Sequence, residues 1–395
     1  MHTTHRSGPS LPAELQTLRD ACPLLETTTY LANCSQGPLS VPVRTAAQNF
    51  LDGWDKMGMH WDVWGEEVER ARATFAMLIG ASPEDIAVGT SVSQIASSLA
   101  SALLISPHLT CRRLVSSVVE FPGVAHAWLA MRKHGWQVDL LARDDEGMVN
   151  ADHFVAALDE PTTLISVPHV CYANGALTDL EPIITTAHAQ GSFVFVDAYQ
   201  SIGTVPIDVK ASGIDFLAAG TLKYLLGTAG IAFLYVNPAL LEQLEPTFTG
   251  WFGRKNPYAF DSSLLDYADD AARFDLGTPP IVNAYIARAG MELVLNVGVE
   301  RIRKHIERLS TLVYDVAAQL SMRIVSPKQV ARKGSITSLD AGSPERALQV
   351  ENELRRRAIV VAARGSLIRL APHGFTHEQE LERALHTVAQ VLHAS

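Results

Sequence analysis

Cysteine is scarce in this sequence: the 395 residues include only Cys22, Cys34, Cys111 and Cys171. No two of them form a C-x-x-C pair, so their spacing supports neither a zinc site nor a disulfide framework, and we expect no metal site. No apolar run approaches the roughly 20 residues that a membrane-spanning helix needs. The first residues are polar and lack the apolar core of a signal peptide. These absences predict a cytoplasmic protein without a membrane partner.

Positive charge is also sparse, since 32 Lys and Arg residues stand against 42 Asp and Glu residues, for a net charge of -10. The two dense basic runs, at 301–304 and 355–357, lie in helix-like sequence and are expected to be solvated helix faces. Because no basic stripe forms, nucleic acid is not an expected partner. The chain is 47% hydrophobic and too long for one compact domain, which predicts two domains.

Short apolar runs alternate with helical stretches through the first two thirds of the chain. Several runs are continuously apolar, as is typical of strands that are covered on both faces. This alternation predicts an α/β large domain with a mostly parallel, seven-stranded sheet. The predicted strands are 86–89, 113–121, 137–142, 163–170, 193–198, 215–220 and 230–236.

The pattern changes after residue 237. Residues 246–280 are irregular and rich in Gly and Pro, and one long helical stretch follows at about 281–321. The last 70 residues mix short strands with helices, which predicts a smaller α+β domain. We therefore predict an N-terminal segment (1–34) that packs with the small domain, a large domain (35–255) and a small domain (256–395). Residues 1–10 are predicted to be a disordered tip.

An aspartate and a lysine follow two consecutive predicted strands, in VDAYQSIG (196–203) and AAGTLKYLLG (218–227). Ligands of open α/β sheets bind outside the carboxyl ends of the strands, so Asp197 and Lys223 are expected to face one crevice. A desolvated lysine loses its charge, and the neutral amine can form a Schiff base with an aldehyde. The aspartate can keep a pyridinium nitrogen protonated. Together the pair predicts a pyridoxal 5′-phosphate (PLP) site; the alternative is an ordinary strand-end salt bridge.

The segment AVGTSVSQIASSLASAL (87–103) predicts a strand, a turn of small hydroxyl residues and then a helix. Free N–H groups and the positive end of the dipole make a helix N-terminus suitable for phosphate. Thr90, Ser91 and Val92 are the predicted phosphate contacts. The alternative is a simple Ser or Thr helix cap, but beside a lysine and aspartate pair the phosphate interpretation is preferred.

With these motifs in this order, the chain resembles the class V aminotransferase group of fold-type I PLP enzymes. That group includes cysteine desulfurases, isopenicillin N epimerase-like proteins and kynureninases, and the likeness runs from residue 30 to about residue 376. TYLANCSQGPLS (29–40) resembles the opening strand and turn of the group, and the likeness assigns Asn33 to the substrate. Asp197 and Gln200 match its D-x-x-Q, in which Gln binds the phenolic oxygen of the cofactor. Kynureninases usually have His at that position.

The resemblance assigns further positions by their order along the chain. Phe121 falls where the family stacks a residue on the cofactor ring, although a plain core role is the alternative. Tyr172 falls at a cofactor-facing position, and Thr221 and Lys223 belong to the lysine motif. Arg369, in SLIRLAPHGFT (366–376), matches the arginine that binds the substrate carboxylate through a bidentate fork. A surface arginine is the alternative there.

Two loops, TGWFG (249–253) and RFDLGTPP (273–280), resemble loops that cross a dimer interface in this family. By that likeness Trp251 and Thr278 contact the phosphate in the partner's site. The resemblance therefore implies a homodimer.

The reaction is less constrained than the cofactor. Cysteine desulfurases carry a nucleophilic Cys shortly before the carboxylate-binding arginine, but residues 323–368 contain none. Cys34 and Cys171 lie in other segments, where a buried free thiol is the simpler interpretation. Persulfide formation by the desulfurase route is thus disfavoured, and Gln200 disfavours kynurenine hydrolysis.

We predict β-elimination from an S-conjugated cysteine, catalysed by a C–S lyase in lincosamide-type secondary metabolism. Decarboxylating or oxidative deamination of a cysteine conjugate, transamination and epimerisation stay open. A PLP-fold protein that has lost catalysis and serves only for binding is the alternative from a different class.

Overall fold

The computed structural model of this chain describes residues 11–109 and 111–393, so the tip predicted at 1–10 lies outside the described residues. The helices are α1 (Ala13–Asp20), α2 (Val41–Met57), α3 (Trp61–Leu78), α4 (Val92–Ile105), α5 (Pro122–Met131), α6 (Ala151–Ala156), α7 (Glu181–Ala189), α8 (Val209–Ser212), α9 (Ile281–Val297), α10 (Val299–Gln319), α11 (Pro344–Arg356) and α12 (Glu378–His393). The strands are β1 (Thr29–Tyr30), β2 (Ile86–Gly89), β3 (Arg113–Ser117), β4 (Gln137–Leu141), β5 (Leu164–Pro168), β6 (Phe193–Asp197), β7 (Phe216–Gly220), β8 (Ala232–Val236), β9 (Thr337–Asp340), β10 (Ile359–Val360), β11 (Ala362–Arg364) and β12 (Leu367–Leu370).

Seven strands form the central sheet in the order β2-β8-β7-β6-β5-β3-β4. Only β8 runs antiparallel to its neighbours, β2 and β7. The short loop between β7 and β8 contains no helix to return the chain to the starting edge, so the two strands pair antiparallel. The predicted α/β fold with a mostly parallel, seven-stranded sheet is confirmed. Every residue of β5, β7 and β8 is buried, which explains why their sequences are continuously apolar.

Helices cover both faces of this sheet. One face packs against α3, α7 and α9, where Phe75 stacks on Phe233 with ring centroids 4.6 Å apart. The other face packs against α4 and α5, where Trp128 meets Phe195 edge to face at 5.2 Å. Full burial of each such side chain stabilises the fold by about 2 kcal/mol. The two faces together fix the carboxyl edge of the sheet in place.

The long helical stretch predicted at 281–321 is two helices. Gly298 separates them with a φ of +89°, a backbone conformation that glycine adopts most easily. The first of them, α9, packs against α2 and α3, whereas α10 packs against α12. Residues 281–297 thus contact helices of the predicted large domain. The division into 1–34, 35–255 and 256–395 stays a prediction.

The segment before α2 ties the start of the chain to its C-terminal part. Strand β1 pairs in parallel with β10, and Ala32 forms a bridge with Ala371. The neighbouring sheet has the antiparallel order β11-β12-β9. This pairing brings residues 33–37 and the β11–β12 hairpin to the carboxyl edge of the large sheet.

Among the residues that the structure describes, no helix combines the length and the apolar character needed to cross a bilayer.

Candidate active site

A cavity of about 350 Å³ lies at the carboxyl ends of β5, β6 and β7, between the large sheet and the β11–β12 hairpin. This is the edge at which ligands of open α/β sheets bind. Most of the predicted site residues are brought together there. Those that line the cavity are Ser91, Val92, Phe121, Tyr172, Asp197, Gln200, Lys223 and Arg369.

Three other predicted site residues do not line this cavity, but each is adjacent in the sequence to a residue that does. Asn33 is buried, and its Nδ2 donates to the carbonyl oxygen of Ala371 at 2.8 Å. Thr221 is buried, and its hydroxyl donates to the carbonyl oxygen of Thr228 at 3.2 Å. Thr90 is exposed on the turn before α4. Their roles remain predictions.

The two residues predicted to reach a partner's site are also outside the cavity. Trp251 is half-buried and packs on Phe260, with ring centroids 5.7 Å apart. Thr278 is exposed in the loop before α9. A position outside this subunit's own cavity is what a cross-subunit role requires, and that role also remains a prediction.

Lys223 lies in the loop between β7 and β8 and lines the cavity. Its Nζ is 4.0 Å from the centroid of the Tyr199 ring and 5.6 Å from that of Phe121. Burial lowers the pKa of the Lys223 amine to about 8, although the carboxylate of Asp197 opposes that shift. A substantial fraction of this amine is therefore neutral near pH 8, as a nucleophile for an aldehyde must be.

Asp197 is the last residue of β6 and is buried. Its Oδ1 accepts a hydrogen bond from the Tyr199 N–H at 2.9 Å. Burial raises the pKa of Asp197, whereas the Tyr199 N–H and the charge of Lys223 lower it. The parallel register of β6 and β7 puts this carboxyl and the following lysine loop on the same side of the sheet edge.

Helix α4 points its N-terminus at the cavity. The Ser91 hydroxyl accepts a hydrogen bond from the Gln94 N–H at 3.1 Å, so Ser91 is the cap of this helix. Helix geometry leaves the N–H groups of Val92 and Ser93 without intrahelical partners. Both residues line the cavity, so capping and phosphate binding are compatible here.

Arg369, on β12, is 2% exposed, and its guanidinium is held from two sides. One terminal nitrogen donates to the Tyr172 carbonyl oxygen at 2.9 Å, and the other donates to the Ser35 hydroxyl at 3.2 Å. Its Nε has no partner among the described residues. A buried cation with an open donor is suited to a carboxylate.

Gln200 is anchored next to the lysine. Its Nε2 donates to the Cys34 carbonyl oxygen at 3.0 Å, which leaves a second N–H on the same nitrogen. Its Oε1 is buried without a partner among the described residues. Unfilled hydrogen-bonding capacity next to Lys223, Asp197 and a helix N-terminus fits PLP, which presents an aldehyde, a ring nitrogen, a phenolic oxygen and a phosphate.

The cavity residues that sequence reasoning missed include three with an ionisable side chain: Glu120, Tyr199 and Arg364. Glu120 directly precedes the predicted stacking residue, and Tyr199 lies between Asp197 and Gln200, so proximity to the motifs was a usable signal for both. Arg364 gives no such signal, since only the β11–β12 pairing brings it to the cavity mouth.

Comparisons with known proteins agree with this geometry. The family model for class-V aminotransferases matches residues 43–379. The uncharacterized aminotransferase YcbU of Bacillus subtilis (strain 168) is 36% identical over 371 residues, which are 94% of this chain and 96% of YcbU.

Two solved structures share the fold. The apo cysteine desulfurase from Thermococcus onnurineus NA1 has a TM-score of 0.85 and 22% identity, over 98% of this chain and 100% of that one. The cystine C–S lyase C-DES, in complex with its product cysteine persulfide, has a TM-score of 0.82 and 20% identity, over 93% and 98% of the two chains.

The family, the fold and the cofactor predicted from the sequence are therefore confirmed. The chain belongs to the class-V aminotransferase family, and it is a PLP-dependent enzyme.

Proposed function

We propose that this enzyme is a C–S lyase that acts on an S-conjugated L-cysteine by β-elimination. The Cα–H and Cβ–S bonds break, and the thiol leaves with a proton. Addition of water to the remaining enamine or imine then gives pyruvate and ammonia. No external oxidant or reductant is needed, because elimination followed by hydrolysis balances the electrons.

The β11–β12 hairpin is the observation that supports this proposal most strongly. Arg364 pairs with Leu367, so only Gly365 and Ser366 form the turn, and Gly365 has a φ of +55°. A two-residue turn leaves no room for a loop that presents a thiol to the substrate sulfur. Sulfur that has no nucleophile to receive it departs with its own substituent.

Arg369, Asp197 and Lys223 each have a role in this reaction. Bound PLP supplies an electron sink for the Cα of the substrate. Arg369 holds the α-carboxylate, and Asp197 places its negative charge toward the ring nitrogen. The Lys223 amine, whose pKa burial lowers to about 8, takes the Cα proton as a general base. The fold itself is compatible with such chemistry, since C-DES carries out cystine C–S cleavage on it.

Cys34 is the one thiol whose position calls for a direct test. It is 2% exposed and lines the cavity, with its carbonyl oxygen bound by Gln200. If this thiol attacked the substrate sulfur, the Cβ–S bond would break with alanine as the product, and the sulfur with its substituent would stay on Cys34 as a mixed disulfide, so no pyruvate would form. We propose a packing role, because Cys34 sits within a buried apolar cluster with Tyr224 and Ile336.

A second cation, Arg364 at the cavity mouth, indicates which cysteine conjugates the site would prefer. The exposed side chain of Arg364 lines the cavity and has no hydrogen bond or ion pair among the described residues. Its charge reaches Lys223, whose pKa it helps to lower after burial and other charges. We favour conjugates whose sulfur substituent ends in an acidic group, since Arg369 is already assigned to the α-carboxylate.

We also propose that the active form is a homodimer. Apolar side chains on α2 and the following turn are unusually open to solvent, including Trp54 at 56% and Met59 at 76% exposure. Phe260, next to Trp251, is 74% exposed. A second copy that covers these surfaces would let Trp251 and Thr278 reach its phosphate site. The cytoplasmic location and the lincosamide-type setting stay predictions from the sequence.

The test is to incubate the purified protein with PLP and a panel of S-substituted cysteines, to record the visible spectrum and to assay the products. Pyruvate with an equal amount of thiol is expected, and Lys223→Ala should abolish both turnover and the lysine-bound cofactor band. Cys34→Ser should keep the pyruvate yield. Alanine with a mixed disulfide on Cys34, both lost in Cys34→Ser, would contradict elimination. An aldehyde with carbon dioxide, a keto acid that keeps the side chain, or inverted substrate would each assign a different outcome.

A further inference from the structure

Glu120 is a buried carboxyl group for which the proposed reaction has no use. It lies at the turn before α5, lines the cavity and is 3% exposed. Among the described residues it forms no ion pair with Lys, Arg or His, yet its side chain hydrogen-bonds that of Asp197. Two carboxyl groups in direct contact, away from water, cannot both be ionised without a large repulsion.

The remaining hydrogen bonds of Glu120 have a fixed direction. The Phe121 N–H donates to Oε1 at 2.8 Å, and the Ser166 hydroxyl donates to Oε2 at 3.2 Å. Ser166 in turn accepts from the indole N–H of Trp128 at 2.8 Å. An indole nitrogen can only donate, so Ser166 must turn its own hydrogen toward Glu120. The only hydrogen left to join the two carboxyl groups is one carried by a carboxyl group itself.

The charges around the pair place that hydrogen on Glu120. Burial, and then the charge of Asp197, raise the pKa of Glu120 well above its usual range, although the Phe121 and Ser166 donors oppose this. Burial also raises the pKa of Asp197, but the Tyr199 N–H, the Lys223 charge and the contact with Glu120 all lower it. The positive charge of Lys223 therefore acts on Asp197, which favours the ionised form of Asp197 and the protonated form of Glu120.

The other titratable groups near the pair do not change this assignment. Burial raises the pKa values of Tyr199 and Cys171, so both are neutral at physiological pH. Among the described residues, they leave Asp197 as the one anion that faces Glu120.

We propose that Glu120 is a positioning residue that stays protonated at physiological pH and donates its hydrogen to Asp197. This donation holds the Asp197 carboxylate in one orientation and leaves its charge for the ring nitrogen of the cofactor. The chain of donors from Trp128 through Ser166 and Glu120 ends on Asp197, and hydrogen bonds that run in one direction strengthen one another. Glu120 thus acts on the cofactor through Asp197 and not by contact with substrate.

Infrared difference spectroscopy tests the protonation directly. The spectrum of the wild type minus that of Glu120→Gln at neutral pH should contain the carbonyl band of a protonated carboxylic acid, sensitive to exchange into D₂O. Exposed glutamates lose their protons near pH 4, so the band must persist about three pH units higher. The surface variant Glu382→Gln is the control and should give no such difference. Absence of the acid band from the first spectrum would overturn the proposal.

The affinity for PLP tests whether Glu120 acts as a hydrogen-bond donor to Asp197 or only fills space. Glu120→Gln keeps an N–H donor toward Asp197, so its PLP dissociation constant should stay within about threefold of the wild-type value. Glu120→Ala leaves Asp197 without that donor and should weaken binding by roughly tenfold or more. If Glu120→Gln weakened PLP binding as much as Glu120→Ala does, the residue would be acting as an anion and the proposal would be wrong. The infrared result stands by itself if Glu120→Ala does not fold.

Discussion

At the scale of single residues, two arginines on one hairpin differ in how deeply they are buried. Arg369 is buried and held by Tyr172 and Ser35, whereas Arg364 is exposed at the cavity mouth. A preorganised buried cation loses little freedom when it binds a carboxylate, while an exposed one is screened by water and salt. The two residues should therefore contribute unequally to substrate binding.

Removal of Arg369 should weaken substrate binding and leave the cofactor in place. Arg369→Ala is expected to raise KM by roughly 100-fold, because truncation of one partner of a buried charged pair costs about 2–5 kcal/mol. Steady-state kinetics measure the KM, and an unchanged visible cofactor band is the control. Loss of that band together with substrate binding would contradict a role confined to the substrate.

Arg364 should set the preference between conjugates that differ only in terminal charge. S-carboxymethyl-cysteine and its uncharged amide form a matched pair of substrates. Arg364→Gln should lower the kcat/KM of the acid relative to that of the amide by about fivefold, as expected for an exposed ion pair. The surface variant Arg112→Gln should not change this ratio. Equal ratios in the wild type and Arg364→Gln would rule out a subsite for an acidic substituent at Arg364.

Sequence reasoning found the residues whose type and spacing are distinctive, such as Lys223 and Asp197. It missed Glu120, because a carboxylate near the end of a predicted strand is ordinarily a solvated surface residue. Only the packing of the turn before α5 under β5 and β6 reveals its partners. The role of Arg364 was likewise invisible, since it depends on a strand pairing in the C-terminal part.

At the scale of elements, Gly37 joins the N-terminal segment to the lysine loop. Its N–H donates to the Leu222 carbonyl oxygen at 2.7 Å, and a Cβ added there would lie 2.6 Å from the carbonyl oxygen of Lys223. Backbone atoms cannot move aside as a flexible side chain can. The close approach of these two segments therefore requires glycine.

Gly37→Ala should destabilise the protein and disturb the cofactor site. We expect a loss of about 1–3 kcal/mol in the free energy of unfolding, from overpacking against fixed backbone. Gly53→Ala is the matched control, because Gly53 lies in α2 with open space around its Cβ position. That change should stabilise by up to about 1 kcal/mol. Denaturant unfolding measures both, and equal effects would show that the contact at Gly37 is unimportant.

The strands were predictable because sheets buried on both faces demand apolar runs. The ends of the strands were harder to predict. Strand β3 ends at Ser117 and not at the predicted residue 121, because the chain turns there before Pro122 begins α5. The break at Gly298 was hidden by helical periodicity on both sides of it. A single glycine does not reveal from sequence alone whether the chain bends there.

At the scale of the whole molecule, two buried histidines make the fold sensitive to acid. Burial lowers the pKa values of His169 and His373 to about 4 each. His169 contacts the Ser201 hydroxyl at 2.9 Å, and His373 contacts the Tyr224 carbonyl oxygen at 2.9 Å. Unfolded histidine titrates near 6.5, so the unfolded chain binds protons first as the pH falls.

The stability that these histidines contribute is complete above pH 6.5 and is lost as the pH falls toward 4. Each accounts for a change on the order of 3 kcal/mol. His373→Gln should show a shallower decline in the free energy of unfolding between pH 6.5 and 4 than the wild type. Buried carboxyls with raised pKa values act in the opposite sense, but they are common to both proteins. Parallel pH profiles would contradict a buried neutral His373.

The pairing of β1 with β10 has a consequence for how the molecule is made. Thr29 leaves the ribosome long before its partner Ile359 has been synthesised. Until then, β1, which leads into the segment with Cys34, Ser35 and Gly37, lacks the strand with which it pairs. Pairings between distant parts of a chain form slowly and late. The seven strands of the large sheet can pair while synthesis continues, but the pocket cannot be closed before β10 has been synthesised.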